Sequence, residues 1–168
     1  MVTKSSDAMK LALPSDREIV MTRVFDAPRA LVFRVWTDPK HLARWWGPQG
    51  MTGEACQVDL RVGGVFRVEL RGPDGAMYPC AGIFREIVEP ERIVYTGTPD
   101  GAEGCGAGLP PHATVTVTFV EHAGRTTLTI HTRLASAADC DAAIKSGFNG
   151  GWASCLDRLA EFLEIPEV

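Results

Sequence analysis

Residues 137–164 read AADCDAAIKSGFNGGWASCLDRLAEFLE, and the reading of this stretch decides the fold. Ile144, Phe148, Trp152, Leu156, Leu159 and Leu163 follow one another at steps of four, four, four, three and four. That spacing draws one apolar stripe down one face of a helix. Ser136, three residues before Asp139, suits the cap, and Pro166 follows the end. An unbroken helix here is roughly 40 Å long. Gly147, Gly150 and Gly151 interrupt it, and each costs about 1 kcal/mol relative to alanine in a helix interior. Two readings stay open. Either one helix presses its backbone against a sheet or bends beside a cavity, or the regular helix starts only near Gly150 after a separate turn.

The stripe needs a partner, and the chain before it is mostly strands. Arg17 to Phe25 is an expected strand with Ile19, Met21 and Val24 as apolar members. Asp26-Ala27-Pro28 opens a helix to about Trp36, with Asp26 as a candidate cap. Asp38-Pro39 opens a second, ending at Trp45-Trp46-Gly47-Pro48. Thr52–Asp59, Val65–Arg71, Met77–Val88, Arg92–Thr98, Ala113–Phe119 and Leu128–Leu134 then read as strands. Phe66, Val68 and Leu70 alternate with Arg67, Glu69 and Arg71, and Ala113, Val115, Val117 and Phe119 with Thr114, Thr116 and Thr118. One polar and one apolar side per strand gives one wet and one buried sheet face. Short connections such as Pro73-Asp74-Gly75 make the sheet antiparallel. The expected fold class is α+β: a curved antiparallel sheet gripping a long C-terminal helix, in the order β-αα-β6-α. Residues 1–16 are expected to be a flexible tail and 17–168 a single domain.

Composition removes several functions. Lys plus Arg is 17 against 21 for Asp plus Glu, so the chain is mildly acidic at −4 and carries no basic cluster. That argues against nucleic acid and anionic membranes as partners. No apolar run approaches the ~20 residues of a membrane span, and no secretory leader is evident, so a cytoplasmic location is expected. The five cysteines are widely spaced without CxxC, so they read as reduced small apolar residues. The four histidines lack metal-ligand spacing, and no metal or cofactor is expected.

Several blocks together resemble one family. These are Phe25-Asp26-Ala27-Pro28, Trp45-Trp46-Gly47-Pro48, Asp59-Leu60-Arg61-Val62-Gly63-Gly64, Pro73-Asp74-Gly75, and Gly151-Trp152 with Leu156-Asp157-Arg158-Leu159. They look like the activator-of-Hsp-90-ATPase homologue family of the START-like (SRPBCC) superfamily, which has the helix-grip fold of the birch-pollen allergen. The resemblance covers about residues 17–164 and implies the fold reached from periodicity. It implies an apolar cavity between sheet and helix, and superfamily relatives include cyclases, hydroxylase components and lipid carriers.

Asp59 and Arg61 flank a Gly-Gly hairpin and read as its backbone partners. The glycines of 101–108 lack the Lys-Ser/Thr end of a phosphate loop and read as a loop at a cavity mouth, with Cys105 in it. Taking Arg85 as outward places Tyr78, Cys80, Gly82 and Phe84 inward, and Gly82 removes a side chain where a hollow could deepen. The candidate ligand-binding residues are therefore Trp36, Trp46, Phe66, Tyr78, Cys80, Phe84, Tyr95, Phe148 and Trp152. Large rings with a few polar atoms at a sheet–helix interface suit a pocket for a small hydrophobic or aromatic molecule. The alternatives are a cyclase- or hydrolase-type enzyme using the same cavity, and a co-chaperone-like interaction protein with a chaperone partner. The sequence is compatible with a homodimer.

Overall fold

The computed structural model describes residues 9–47, 50–97, 113–145 and 147–164. The elements in chain order are β1 (Lys10–Ser15), β2 (Glu18–Phe25), α1 (Arg29–Thr37), α2 (Pro39–Trp45), β3 (Thr52–Val58), β4 (Val65–Arg71), β5 (Met77–Val88), β6 (Arg92–Gly97), β7 (Thr114–His122), β8 (Arg125–Arg133), α3 (Ala137–Lys145) and α4 (Phe148–Leu163). The strands form one antiparallel sheet in the order β1-β2-β8-β7-β6-β5-β4-β3. β2 and β3, which flank the α1–α2 corner in the chain, thus lie far apart across the sheet. The curved sheet closes around the C-terminal helix as periodicity predicts.

The buried side of α4 carries Phe148, Trp152, Cys155, Leu156, Leu159 and Phe162. Trp152 is 1 % exposed and Leu156 fully buried. They share the core with Val115, Val117 and Phe119, while Thr114, Thr116 and Thr118 on the other sheet face are only half-buried. The stripe ends on Phe162 in place of Leu163, which is half-buried. A ring at 162 reaches back to α2, where His41 lies 5.5 Å away and the Arg44 guanidinium sits 5.3 Å from its centroid. The structure is nearer the second reading of the glycines, but the earlier part is a helix of its own and not a turn, and Gly150 and Gly151 lie inside the helix that follows. α3 stops at Lys145, and Gly147, at φ 93°, starts α4. A left-handed residue cannot continue a right-handed helix, and glycine adopts it without a Cβ penalty. Ser136 Oγ accepts the Asp139 N–H at 3.1 Å and caps α3 as expected.

Three local expectations change. Residues 10–15, assigned to the loose tail, form β1 and pair with β2. Both faces of this strand are exposed, so the short alternation of Leu11 and Leu13 reports no burial. Asp26 does not cap α1; the α1 N-terminus begins at Pro28, and Glu121 from the β7–β8 hairpin accepts the Arg29 N–H at 2.9 Å. On β2 the buried side is Ile19, Met21, Arg23 and Phe25, so Val24 faces outward and an arginine faces in. Arg23 tolerates burial because it is paired with Asp157 of α4 and lies over the Phe25 ring.

Several residues of the family blocks have structural roles. Arg158 donates to the carbonyls of Arg44, Trp46 and Gly47 at 3.1, 3.2 and 3.0 Å, closing the end of α2. Asp59 and Arg61 pair with each other at 2.9 Å on the surface. A Cβ at Gly64 would lie 2.1 Å from the Asp59 carbonyl oxygen, so only glycine fits this hairpin.

Candidate functional site

Where α1 and α2 meet the sheet, a cavity of about 10 Å³ is lined by Trp36, Leu42, Trp46, Phe66, Phe84 and Tyr95. The α2 spacing of Leu42, Trp45 and Trp46 turns one helix face inward. Strand parity supplies Phe66 from β4, Phe84 from β5 and Tyr95 from β6. The rings interlock. Phe66 meets Tyr95 edge-on at 4.9 Å, Phe84 at 5.3 Å and Trp46 at 6.0 Å. Trp36 stacks on Trp152 at 6.1 Å and touches Trp45, Trp46 and Phe119. Trp152 meets Trp46 edge-on at 5.4 Å.

Among the described residues, the buried side-chain polar atoms without a hydrogen-bond partner are Tyr95 Oη, Trp152 Nε1, Thr132 Oγ1 and Arg23 Nε. Tyr95 lines the cavity itself, and Trp152 packs on two of its walls. By contrast, Trp45 Nε1 donates to the Val35 carbonyl at 2.9 Å. An unsatisfied buried hydroxyl or indole N–H costs about 1–3 kcal/mol, so two of them beside one cavity call for a reason. Burial raises the Tyr95 pKa far above the ordinary tyrosine value, so the hydroxyl stays protonated and offers a donor. Burial also pushes the Cys155 thiol up to about 12. Its sulfur takes the Gly47 N–H at 3.3 Å and faces the Trp45 carbonyl at 3.7 Å, so it joins α4 to the α2 corner as a neutral group.

The cavity thus brings together Trp36, Trp46, Phe66, Phe84 and Tyr95, five of the nine expected residues, and adds Leu42. Trp152 lies behind the wall. Phe148 is buried at 2 % but does not line the cavity; it belongs to the core. Tyr78 does point to the inner side, opposite Leu70, but its own side chain is not covered there. It is 38 % exposed and donates to Asp74 at 2.9 Å in the β4–β5 hairpin. The side chain of Cys80 and the 101–108 loop with Cys105 lie outside the described residues. The described histidines, cysteines and carboxylates form no group that could hold a metal.

The Tyr78 hairpin makes its own prediction. The Ala76 N–H, and then the Tyr78 hydroxyl, hold the Asp74 carboxyl below its ordinary pKa. A carboxylate lowered on folding stabilises above its unfolded pKa, and this contribution is lost as pH falls through the folded one. Asp74→Asn is therefore expected to lower the thermal midpoint at neutral pH, with the gap to the parent closing on acidification. A gap unchanged from pH 7 to pH 2 counts against this assignment.

A large antiparallel sheet wrapped on a C-terminal helix defines a START-like helix-grip protein, although the ring-lined cavity lies between the sheet and α1–α2 and not, as expected, between the sheet and the C-terminal helix. The family model for activator of Hsp90 ATPase homolog 1-like proteins matches residues 26–164, and the chain belongs to that family. Solved structures agree. A Nitrosomonas europaea protein is 25% identical with TM-score 0.78, covering 90% of this chain and 97% of its own. One from Mycobacterium smegmatis is 25% identical with TM-score 0.77, covering 93% and 97%. One from Chromobacterium violaceum is 29% identical with TM-score 0.70, covering 86% and 95%. Comparison with curated proteins returns no match.

Proposed function

We propose that this protein binds a small, uncharged aromatic or apolar molecule between the sheet and the α1–α2–α4 helices. The observation that carries the reading is the buried, unpartnered Tyr95 hydroxyl on a cavity wall otherwise made of rings and one leucine. An apolar wall with one or two placed polar atoms is the usual chemistry of a small-molecule site. Pockets for drug-sized ligands measure about 300–1,000 Å³. A cavity of about 10 Å³ has room for roughly one water, so the described form is closed and binding requires a side chain to move.

The enzyme alternative needs a proton donor and acceptor at the site. Among the described lining residues only Tyr95 is ionisable, and burial raises its pKa away from the near-neutral range that proton transfer favours, leaving it a hydrogen-bond donor. For a chaperone partner, the supporting feature is the β3–β4 connection, where Leu60, Val62 and Val65 are all exposed. No described helix is long and apolar enough to cross a membrane, and a cytoplasmic location is part of the proposal.

The test is native mass spectrometry of the purified protein followed by NMR titration with neutral aromatics of one to three rings. Saturable one-to-one binding with shifts centred on the Trp36, Trp46 and Trp152 indole N–H signals is expected. Absence of saturable binding, or shifts spread over the threonine-rich outer face, overturns the reading.

A further inference from the structure

Gly82 stands directly opposite Phe66 in the β4–β5 ladder. A Cβ built on Gly82 would lie 2.5 Å from Phe66 Cε1 and 2.6 Å from Cζ. The room left by the missing side chain is therefore occupied by the Phe66 ring. The same ring touches Tyr95, Phe84 and Trp46, three of the other five lining residues. The hollow that the glycine makes exists, and this ring closes it. Of the three lining rings carried by strands, Phe66 is nearest the sheet edge. Its strand is next to the edge strand β3, and its cross-strand neighbour there, Val58, is only half-buried. Trp36, by contrast, is wedged among four other rings.

We propose that Phe66 is a displaceable plug that sets the size of the ligand: its ring holds the place of a single aromatic ring, and the ligand adds an uncharged acceptor oxygen that takes the Tyr95 hydroxyl. This rests on the binding function proposed above. The polarity follows from the wall. No described lining side chain carries a charge, so an ionic ligand would lose hydration with nothing to replace it. The Tyr95 hydroxyl can donate, and the nearby Trp152 indole N–H can only donate, so the matching group is an acceptor such as a carbonyl. When the Phe66 side chain swings toward the β3 edge, the ligand's ring regains its contacts over Gly82, and the orphan hydroxyl gains a partner.

The probes are acetophenone and its hydrocarbon isostere α-methylstyrene, titrated by NMR into the parent, Phe66→Ala and Phe66→Ala/Tyr95→Phe. Phe66→Ala is expected to bind acetophenone at least about tenfold tighter than the parent, since no ring has to be displaced. It should prefer acetophenone to α-methylstyrene by about fivefold, the net worth of one hydrogen bond. Adding Tyr95→Phe should erase that preference while leaving α-methylstyrene affinity in place. Equal acetophenone affinity in parent and Phe66→Ala overturns the plug, and a preference that survives Tyr95→Phe overturns the acceptor contact to the Tyr95 hydroxyl. Phe66→Leu, which also lacks the ring but keeps more volume, replaces the alanine variant if that does not fold. If two- or three-ring probes bind the parent while Phe66→Ala changes nothing, the plug falls and the binding function stands. If no variant binds any probe, both fall.

Discussion

Phe148→Ala is expected to lower unfolding stability by about 3–5 kcal/mol and to leave the affinity of the folded protein for a ring probe unchanged. Phe148 is the first residue of α4, 2 % exposed, and its side chain belongs to the core cluster and not to the cavity wall. Truncation loses the transfer energy of the ring and leaves a void in a packed region. The residue before it is Gly147 in the left-handed conformation, so the chain turns into α4 immediately ahead of this ring. Two curves on one variant decide the matter: chemical unfolding, and acetophenone titration well below the transition. A marked rise in probe affinity with little loss of stability would move Phe148 into the binding wall and overturn the boundary drawn here. Phe66→Ala should show the opposite pattern in the titration, which makes the two variants a matched pair.

Periodicity carried the fold because period 2 and period 3.6 report burial directly. Phe66 and Phe84 were legible as inner-face residues from alternation, and Tyr95 as a large ring on a strand expected to face the helix. The Arg85 parity holds along β5 only as far as Phe84, because a register shift lies between Phe84 and Glu86 and puts Glu86 opposite Val94. Alternation says which face a residue takes, not whether anything covers it. Tyr78 has the right face and the wrong end of the strand. Phe148 has the right helix stripe but sits beyond the cavity. Arg23 was illegible because a charged residue in an alternating strand reads as outward; only Asp157, 134 positions later, explains its burial. The function of Arg158 was hidden for the same reason, since its three carbonyl partners lie on another helix end. Leu42 was recoverable, being three and four residues before Trp45 and Trp46 on one helix face.

Leu156→Ala should cost about 2–5 kcal/mol, and the structure places it in the upper part of that range. The spread for buried leucines reflects how far the surroundings relax into the space left behind. Leu156 is fully buried in mid-helix, and α4 is pinned on both sides of it. Asp157 ties the helix to Arg23 of β2, and Arg158 ties it to the carbonyls at the end of α2. Cys155 adds a contact to the Gly47 N–H. A helix held to the sheet on one flank and to a second helix on the other cannot slide toward the void. Loosening one anchor should then make the leucine cheaper to lose. Asp157→Ala alone is expected to destabilise modestly: its carboxylate is 61% exposed, so solvent screens the pair, although Arg23 is left without its partner. The double variant Leu156→Ala/Asp157→Ala should be less destabilised than the sum of the two, by roughly 0.5 kcal/mol or more. Denaturant midpoints of the four proteins measure this coupling. Strict additivity would mean that the anchors do not limit relaxation around α4, and an unchanged midpoint for Leu156→Ala would contradict its place in the core.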